Sequence, residues 1–294
     1  MARFPLGRFL VARIGFGAMQ LPGPGVFGPP RDHEQALAVL RRAVELGVDH
    51  IDTAQFYGPD VANELIREAL HPYPDDLALV SKVGGRRDDK GNWLPVHEPS
   101  ELRRDIEENL RSLDVDQLAA VNLRVMDTDA DEPNQPGTLR QDQFDAQLTA
   151  MIKARDEALI AGIGLSNITL DHLLFALKRT EIVCVQNALN LVDRASQPVL
   201  DECTERGIAF VPFFPLGSAF AADNPVLGNP VVQRTAARLD RTPAQIALAW
   251  TLTLAPNVLL IPGTSSVRHL EENMAVAEIE LDDDTVAELN AAAG

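Results

Sequence analysis

The sequence predicts an α/β chain of the (β/α)8 TIM barrel type, opened by a short N-terminal β-hairpin and closed by extra C-terminal helices. Three observations carry that expectation. Short apolar runs bounded by turn residues alternate, eight times, with segments of helical period, which favours a closed parallel barrel over an open doubly wound sheet. Two of those runs break off at their carboxyl ends in charged residues, His50–Ile51–Asp52 in Asp52 and Leu79–Val80–Ser81–Lys82 in Lys82, where barrels keep their active sites. The 294 residues suit one barrel of about 250 residues plus extensions, so residues 1–294 are read as a single domain.

Taken in order, Gly7 to Ile14 reads as a hairpin ahead of a first barrel strand at Ile14–Gly17. Gly23–Pro24–Gly25–Val26–Phe27–Gly28 matches the letters of a dinucleotide fingerprint, but Pro24, Pro29 and Pro30 forbid the helix that the motif must open, and a loop over the barrel mouth is expected instead. Asp32 and Gln35 make a capping box for a helix with Leu37, Leu40 and Val44 on one face, ending at Gly47. Strand His50–Asp52, a helix from Asp60 to Leu70 and strand Ala78–Lys82 follow. A polar, glycine-bearing loop then spans Val83 to Trp93. Ser100 starts a helix through Leu102, Ile106, Leu110 and Leu113, and Leu118–Leu123 is the fourth strand. Asp127–Asn134 is a charged loop, and a helix covers Leu139 to Ala158. Ile163–Asn167 ends the fifth strand, with Thr169 capping the next helix; Glu181–Gln186 and Ala209–Phe213 are the sixth and seventh. Gly217–Pro230 reads as a long mobile loop, and Thr242–Pro243–Ala244–Gln245 as a capping box with proline in the first turn. Val258–Ile261 is the eighth strand, Pro262–Val267 opens a helix carrying Arg268 to Met274, and an acidic helix at Asp282–Ala292 closes the chain.

Charge and cysteine content narrow the partners. With 43 acidic against 26 basic residues, the net charge of −17 repels nucleic acid and anionic membranes, and no apolar stretch reaches the length of a membrane span. Cys184 and Cys203 lie in apolar or helical surroundings and read as inert core thiols of a reducing compartment. With no secretory h-region at the start, a cytoplasmic location is expected. His33, His50, His71, His97 and His172 lack metal-ligand spacing, so no metal is expected.

Asp52, Tyr57 and Lys82 would converge at the barrel mouth. A phenol ordinarily titrates near pH 10, and a neighbouring ammonium stabilises the phenolate, which makes Tyr57 a plausible proton donor to a carbonyl oxygen. Asp52 would keep Lys82 charged and aimed. Taken singly, each residue has an ordinary structural reading as cap, core residue or surface charge; the combination is what points to chemistry. At the eighth strand, small hydroxyl and glycine residues expose backbone N–H groups at a helix N-terminus, which suits a phosphate.

Gly47–Val48–Asp49–His50–Ile51–Asp52–Thr53–Ala54 with Tyr57 and then Lys82 resembles the aldo-keto reductases, carbonyl reductases on a (β/α)8 barrel that use NADPH; the likeness runs nearly end to end. It implies NADPH/NADP as cofactor and a small-molecule aldehyde as substrate. By the resemblance, Asp52, Tyr57 and Lys82 are catalytic, and Ser166, Asn167 and Gln186 stand at the positions that bind the nicotinamide carboxamide. Phe213 stands where an aromatic ring stacks on the nicotinamide, and Pro215, Leu216 and Gly217 continue that match. The stretch Ile261–Pro262–Gly263–Thr264–Ser265–Ser266 through Glu272–Asn273 is similar to the family's segment for the adenosine end, with Arg268 for the 2′-phosphate and Asn273 for the adenine. Gly263 and His269 occupy positions where the family often carries basic residues.

The fourth strand departs from the family. Val121–Asn122–Leu123–Arg124 ends in arginine where a histidine normally orients the substrate carbonyl. Arginine cannot serve as an acid at ordinary pH, but it donates directed hydrogen bonds. Arg124 is therefore expected to hold an anionic or phenolate oxygen of the substrate while Tyr57 protonates the carbonyl. Together with Trp93–Leu94–Pro95 and Pro212–Gly217, this strand resembles the branch that contains bacterial pyridoxal reductases. Pyridoxal, an aromatic aldehyde beside an ionisable phenol, is the leading substrate. The alternatives are a broad-range aldehyde and ketone reductase, and a dinucleotide-binding redox sensor with negligible turnover. A monomer or weak homo-oligomer is expected.

Overall fold

The computed structural model describes residues 2–126, 139–217 and 224–292; the expected loop at Asp127–Asn134 lies outside them, as does the 218–223 part of the expected loop at Gly217–Pro230. Parallel strands β3 (Phe16–Gly17), β4 (His50–Asp52), β5 (Ala78–Val83), β8 (Ala120–Arg124), β9 (Ile163–Ser166), β10 (Cys184–Gln186) and β11 (Ala209–Phe210) pair in that order into one sheet. The eighth strand position, residues 258–260, closes the ring. On one side Gly15 N and Leu260 N bond Leu260 O and Arg13 O, both at 2.8 Å; on the other, Phe210 N and Leu259 N bond Asn257 O and Phe210 O, both at 2.9 Å. Parallel bridges Ile14–Leu260 and Phe210–Val258 mark the same closure.

Strand alternation sorts each run into two faces. Ile51, Leu79, Val83, Val121, Leu123, Ile163, Leu165 and Val185 belong to the main core shared with the helices. Ala78, Val80, Ala120, Cys184, Ala209 and Leu259 belong to a second cluster with Leu6 and Val11 of the hairpin β1 (Arg3–Leu6) and β2 (Phe9–Ala12). Several of these are alanines at the amino-terminal ends of their strands, so the barrel's lower end has room for the hairpin to plug it. The next inward positions toward the carboxyl ends are Asp52, Lys82, Arg124, Ser166 and Gln186.

The helices cover the outside. α1 (His33–Glu45) is capped by Asp32, whose side chain accepts from Gln35 N at 3.0 Å, and buries Leu37 and Leu40. α2 (Val61–Leu70) follows with Asp60 as its N-cap. α3 (Pro99–Leu113) starts one residue before the expected Ser100, because Pro99 fits the first helical position, where no N–H is needed. Leu102, Ile106 and Leu113 of α3 are fully buried, each contributing about 1.5–3 kcal/mol. α4 (Gln141–Asp156), α5 (Leu170–Leu177), α6 (Gln197–Arg206) and α7 (Pro230–Leu239) continue the ring. Thr169 with His172 caps α5, and Thr242 with Gln245 caps α8 (Pro243–Thr253), each as a reciprocal box. α9 (Val267–Met274) starts at the Ser266 cap, and α10 (Asp283–Ala291) is the last helix described.

The expected polar loop after Lys82 is instead partly a β-hairpin, β6 (Gly85–Arg87) with β7 (Trp93–Pro95). The strands expected at Leu118–Leu123, Glu181–Gln186 and Ala209–Phe213 are shifted or shortened, their ends continuing as bridges such as Leu118–Ile160 and Ala188–Phe213. Residues 24–26 form a single 3-10 turn with Gly25 at φ 71°, so no dinucleotide fingerprint helix opens there. Among the described residues no helix is long and apolar enough to cross a membrane.

Candidate active site

A cavity of about 460 Å³ opens at the carboxyl ends of the strands. Asp52, Lys82 and Gln186 line it from three inward strand ends, with Tyr57 from the turn after β4 and Arg124 from the end of β8. Parallel register does the assembling: Asp52 pairs with Val80, which stands two residues before Lys82 on the same face of β5, so the lysine side chain on the adjacent strand reaches the carboxylate. Gly84, at φ 100°, lets the chain turn past β8; a Cβ there would stand 2.2 Å from Arg124 O.

Lys82 and Asp52 are 5% and 3% exposed, so their charges must satisfy each other. Lys82 Nζ donates to Asp52 Oδ1 and, at 3.0 Å, to Thr53 O. The other carboxylate oxygen, Asp52 Oδ2, accepts from Gln186 Nε2 at 2.6 Å. Burial alone would lower the Lys82 pKa; the charge of Asp52, then Tyr57, outweighs it and holds the ammonium above the usual lysine value. Nζ lies 5.0 Å from the centroid of the Tyr57 ring. Both oxygens of Asp52 are thus engaged.

Arg124 Nη1 donates to Ser166 Oγ at 3.3 Å, and its guanidinium lies 5.2 Å from the centre of the Phe213 ring. Desolvation lowers its pKa, against a smaller pull from Tyr57, yet a guanidinium remains charged. The walls are aromatic. Phe56 meets Tyr57 and Trp93 edge-on at 5.3 and 5.5 Å, and Phe213 meets Phe214 likewise at 5.4 Å.

Phe213, Pro215, Leu216, Gly217 and Gly263 also line the cavity. Ser166 and Asn167 stand just behind it: both are buried, and Asn167 Nδ2 donates to Val125 O at 3.0 Å. Thr264, Ser265, Arg268, Glu272 and Asn273 are not in this wall. Ser265 borders a neighbouring cavity shared with Gln20, and Asn273 is buried in α9. Arg268 is exposed and pairs with Glu272 at 3.1 Å. Gly17, Gln20, Phe56 and Met126 line the main cavity without having been singled out in the sequence. Met126 carried a signal, since it lies two residues beyond Arg124; Gly17 ends the first strand.

One feature suits an amide-bearing ring, and another shapes the cavity rim. Gln186 uses its amino group on Asp52, and its buried Oε1 has no partner among the described residues, so it suits an incoming amide N–H. Gly17 and Gly263 face each other so closely that a Cβ on either would come within 2.5 Å of backbone oxygen, Ile261 O for Gly17 and Gly17 O for Gly263. Glycine at both lets the first and eighth strand segments approach this closely at the cavity rim.

Residues 13–293 match the sequence model of the Aldo/keto reductase family. The chain is 48% identical over 287 residues to pyridoxine 4-dehydrogenase of Escherichia coli (strain K12), covering 98% of this chain and 96% of that protein. It is 39% identical over 285 residues to an uncharacterized oxidoreductase of Schizosaccharomyces pombe, covering 97% and 88%. Among solved structures, a thermostable aldo-keto reductase, Tm1743, in complex with the inhibitor epalrestat superposes with a TM-score of 0.81 at 28% identity over 99% of this chain and 100% of that one. An aldo-keto reductase from Klebsiella pneumoniae in complex with NADPH gives a TM-score of 0.77 at 25% identity, covering 99% and 94%. The chain belongs to the aldo/keto reductase family and is an oxidoreductase acting between carbonyl and alcohol groups.

Proposed function

We propose that this protein is an NADPH-dependent reductase of pyridoxal or a similar aromatic aldehyde. The observation that carries the proposal is the pairing of two cationic groups in one aromatic-walled cavity: Lys82, tied to Asp52 beneath the Tyr57 ring, and Arg124, beside the Phe213 ring. The likeness to pyridoxine 4-dehydrogenase supports the substrate class, and the family's NADPH complexes support the cofactor.

The bound dinucleotide supplies the hydride. Gln186, Ser166 and Asn167 would hold its carboxamide, Phe213 with the adjoining Pro215, Leu216 and Gly217 would flank its ring, and Gly263, Thr264, Ser265, Arg268, Glu272 and Asn273 would take the adenosine end. Tyr57 Oη gives its proton to the carbonyl oxygen, and Lys82 stabilises the phenolate left behind. Arg124 holds the substrate's ionised phenol oxygen through charge-assisted hydrogen bonds. The aromatic walls keep water from the reacting carbon.

The test is catalytic efficiency for pyridoxal against unsubstituted benzaldehyde, followed as NADPH oxidation. Preference for pyridoxal by about two orders of magnitude or more is expected, because an unmatched cationic site penalises the analogue lacking the phenol. Equal efficiencies would contradict the substrate and favour the broad-range reductase, which the largely apolar lining of the cavity also suits.

A further inference from the structure

On the outer face of β4 and β5, directly behind the cavity, lies a closed network of buried polar side chains. Thr53 and Ser81 alternate with Asp52 and Lys82, so they point away from the cavity toward α2 and α3. Thr53 Oγ1 donates to Asn63 Oδ1 at 2.7 Å, and Asn63 Nδ2 donates to Asn109 Oδ1 at 3.0 Å and Ser112 Oγ at 2.9 Å. Asn109 is the hub. Its Oδ1 also accepts from Ser81 Oγ at 2.5 Å, and its Nδ2 donates to Gln55 Oε1 at 2.9 Å and to Asp105 O at 2.8 Å. Asn63, Asn109, Thr53 and Ser81 are 0% exposed.

One amide thus reaches the neighbours of all three residues of the proton-donor group, Ser81 and Gln55 directly and Thr53 through Asn63. Ser81 precedes Lys82, Thr53 follows Asp52 and accepts from Lys82 through its carbonyl, and Gln55 lies two residues before Tyr57. A helix amide packed only for stability would need a partner or two nearby; this one spans two strands and the turn that carries the phenol. Satisfied networks of this kind rigidify what they touch, and buried partners deleted singly leave costly orphans.

We propose that Asn109 is a positioning residue that fixes the Tyr57 turn against the Lys82 and Asp52 strand ends; the inference rests on the function proposed above. Proton transfer depends on the Tyr57–Lys82 separation, while the residues assigned to the dinucleotide lie on β9, β10 and the segments after β11 and the eighth strand, outside this network. Loosening the network therefore affects the chemical step more than cofactor binding.

The test compares wild type with Asn109→Leu, Ser81→Ala and Thr53→Val, reading kcat with aldehyde, NADPH Kd, the pH profile of kcat and Tm. A control, Thr204→Val, deletes a hydroxyl bonded to Asn257 at 2.9 Å, far from the site. The expected result is a kcat loss of about tenfold or more in Asn109→Leu, smaller losses in the two hydroxyl deletions, a displaced alkaline limb of the pH profile, and NADPH Kd within about twofold. Thr204→Val lowers Tm alone. If Asn109→Leu does not fold, Ser81→Ala and Thr53→Val carry the test. Lower Tm with unchanged kcat and pH profile in the network variants overturns the proposal while leaving the function intact; a wild type that reduces no aldehyde overturns the function and this inference with it.

Discussion

At Lys82, burial and charge pull in opposite directions, and the carboxylate of Asp52 decides the outcome. Lys82→Met leaves Asp52 buried without its counter-ion. A loss of about 3–5 kcal/mol in denaturant unfolding is expected, together with a kcat reduced at least about a hundredfold. Arg124→Leu should act differently, lowering efficiency for pyridoxal by about a hundredfold while leaving benzaldehyde nearly unchanged; equal loss on both substrates would place Arg124 in cavity structure rather than phenol recognition. Asp60, at φ 58° before α2, has its pKa raised from 3.8 to about 6 by burial, then by the charge of Glu108. A carboxyl whose folded pKa is raised contributes stability below its unfolded pKa and loses it as pH rises through the folded value. Asp60→Asn, which tolerates positive φ, should therefore raise Tm relative to wild type at about pH 8 and lose that advantage near pH 4. The gain is on the order of 1 kcal/mol once solvent screening is allowed for. At this scale the sequence was most legible where charge interrupts an apolar run, at Asp52, Lys82 and Arg124. Phe56 was not legible, because an apolar cavity wall and an apolar core use the same residues, and Met126 was marked only by its place two residues beyond Arg124.

Among the elements, caps and periodicity read well. Asp32, Thr169 and Thr242 all cap helices as their spacing implies, and Leu102, Ile106 and Leu113 face the core. The β6–β7 hairpin did not read as strand. Gly85–Arg86–Arg87 has no alternating apolar face, and its pairing depends on distant anchors. Arg86 bonds Asp105 of α3 at 2.7 Å, while Arg87 lies 4.1 Å from the Trp93 ring centre and donates to Gly25 O at 2.9 Å. Tertiary contacts of this sort override local propensity. Short barrel strands were misjudged at their ends for a related reason, since Leu118, before β8, and Phe213, after β11, keep single bridges outside the ladders. Gly84 tests the element scale. Gly84→Ala combines a strained backbone at φ 100° with a Cβ 2.2 Å from Arg124 O. A destabilisation of about 1–3 kcal/mol or more is expected, with activity falling as Arg124 is displaced; an unchanged Tm would mean the turn has room that its geometry denies.

Across the whole molecule, ring closure at residues 258–260 and the hairpin plug at the opposite end leave the carboxyl-terminal mouth as the open end of the barrel. The alternation of apolar runs with helical segments made that architecture legible from sequence. Its inner layer was legible only in part, because the spatial meeting of Asp52, Lys82, Gln186 and Arg124 depends on strand register, which local pattern does not encode. The most direct test of the account is the single-turnover rate of NADPH oxidation with excess pyridoxal, in wild type and in Tyr57→Phe. The account predicts decay within seconds in the wild type and a slowing of about a hundred- to ten-thousandfold without the hydroxyl. Equal rates in the two proteins, or a wild-type signal stable for hours, would contradict it.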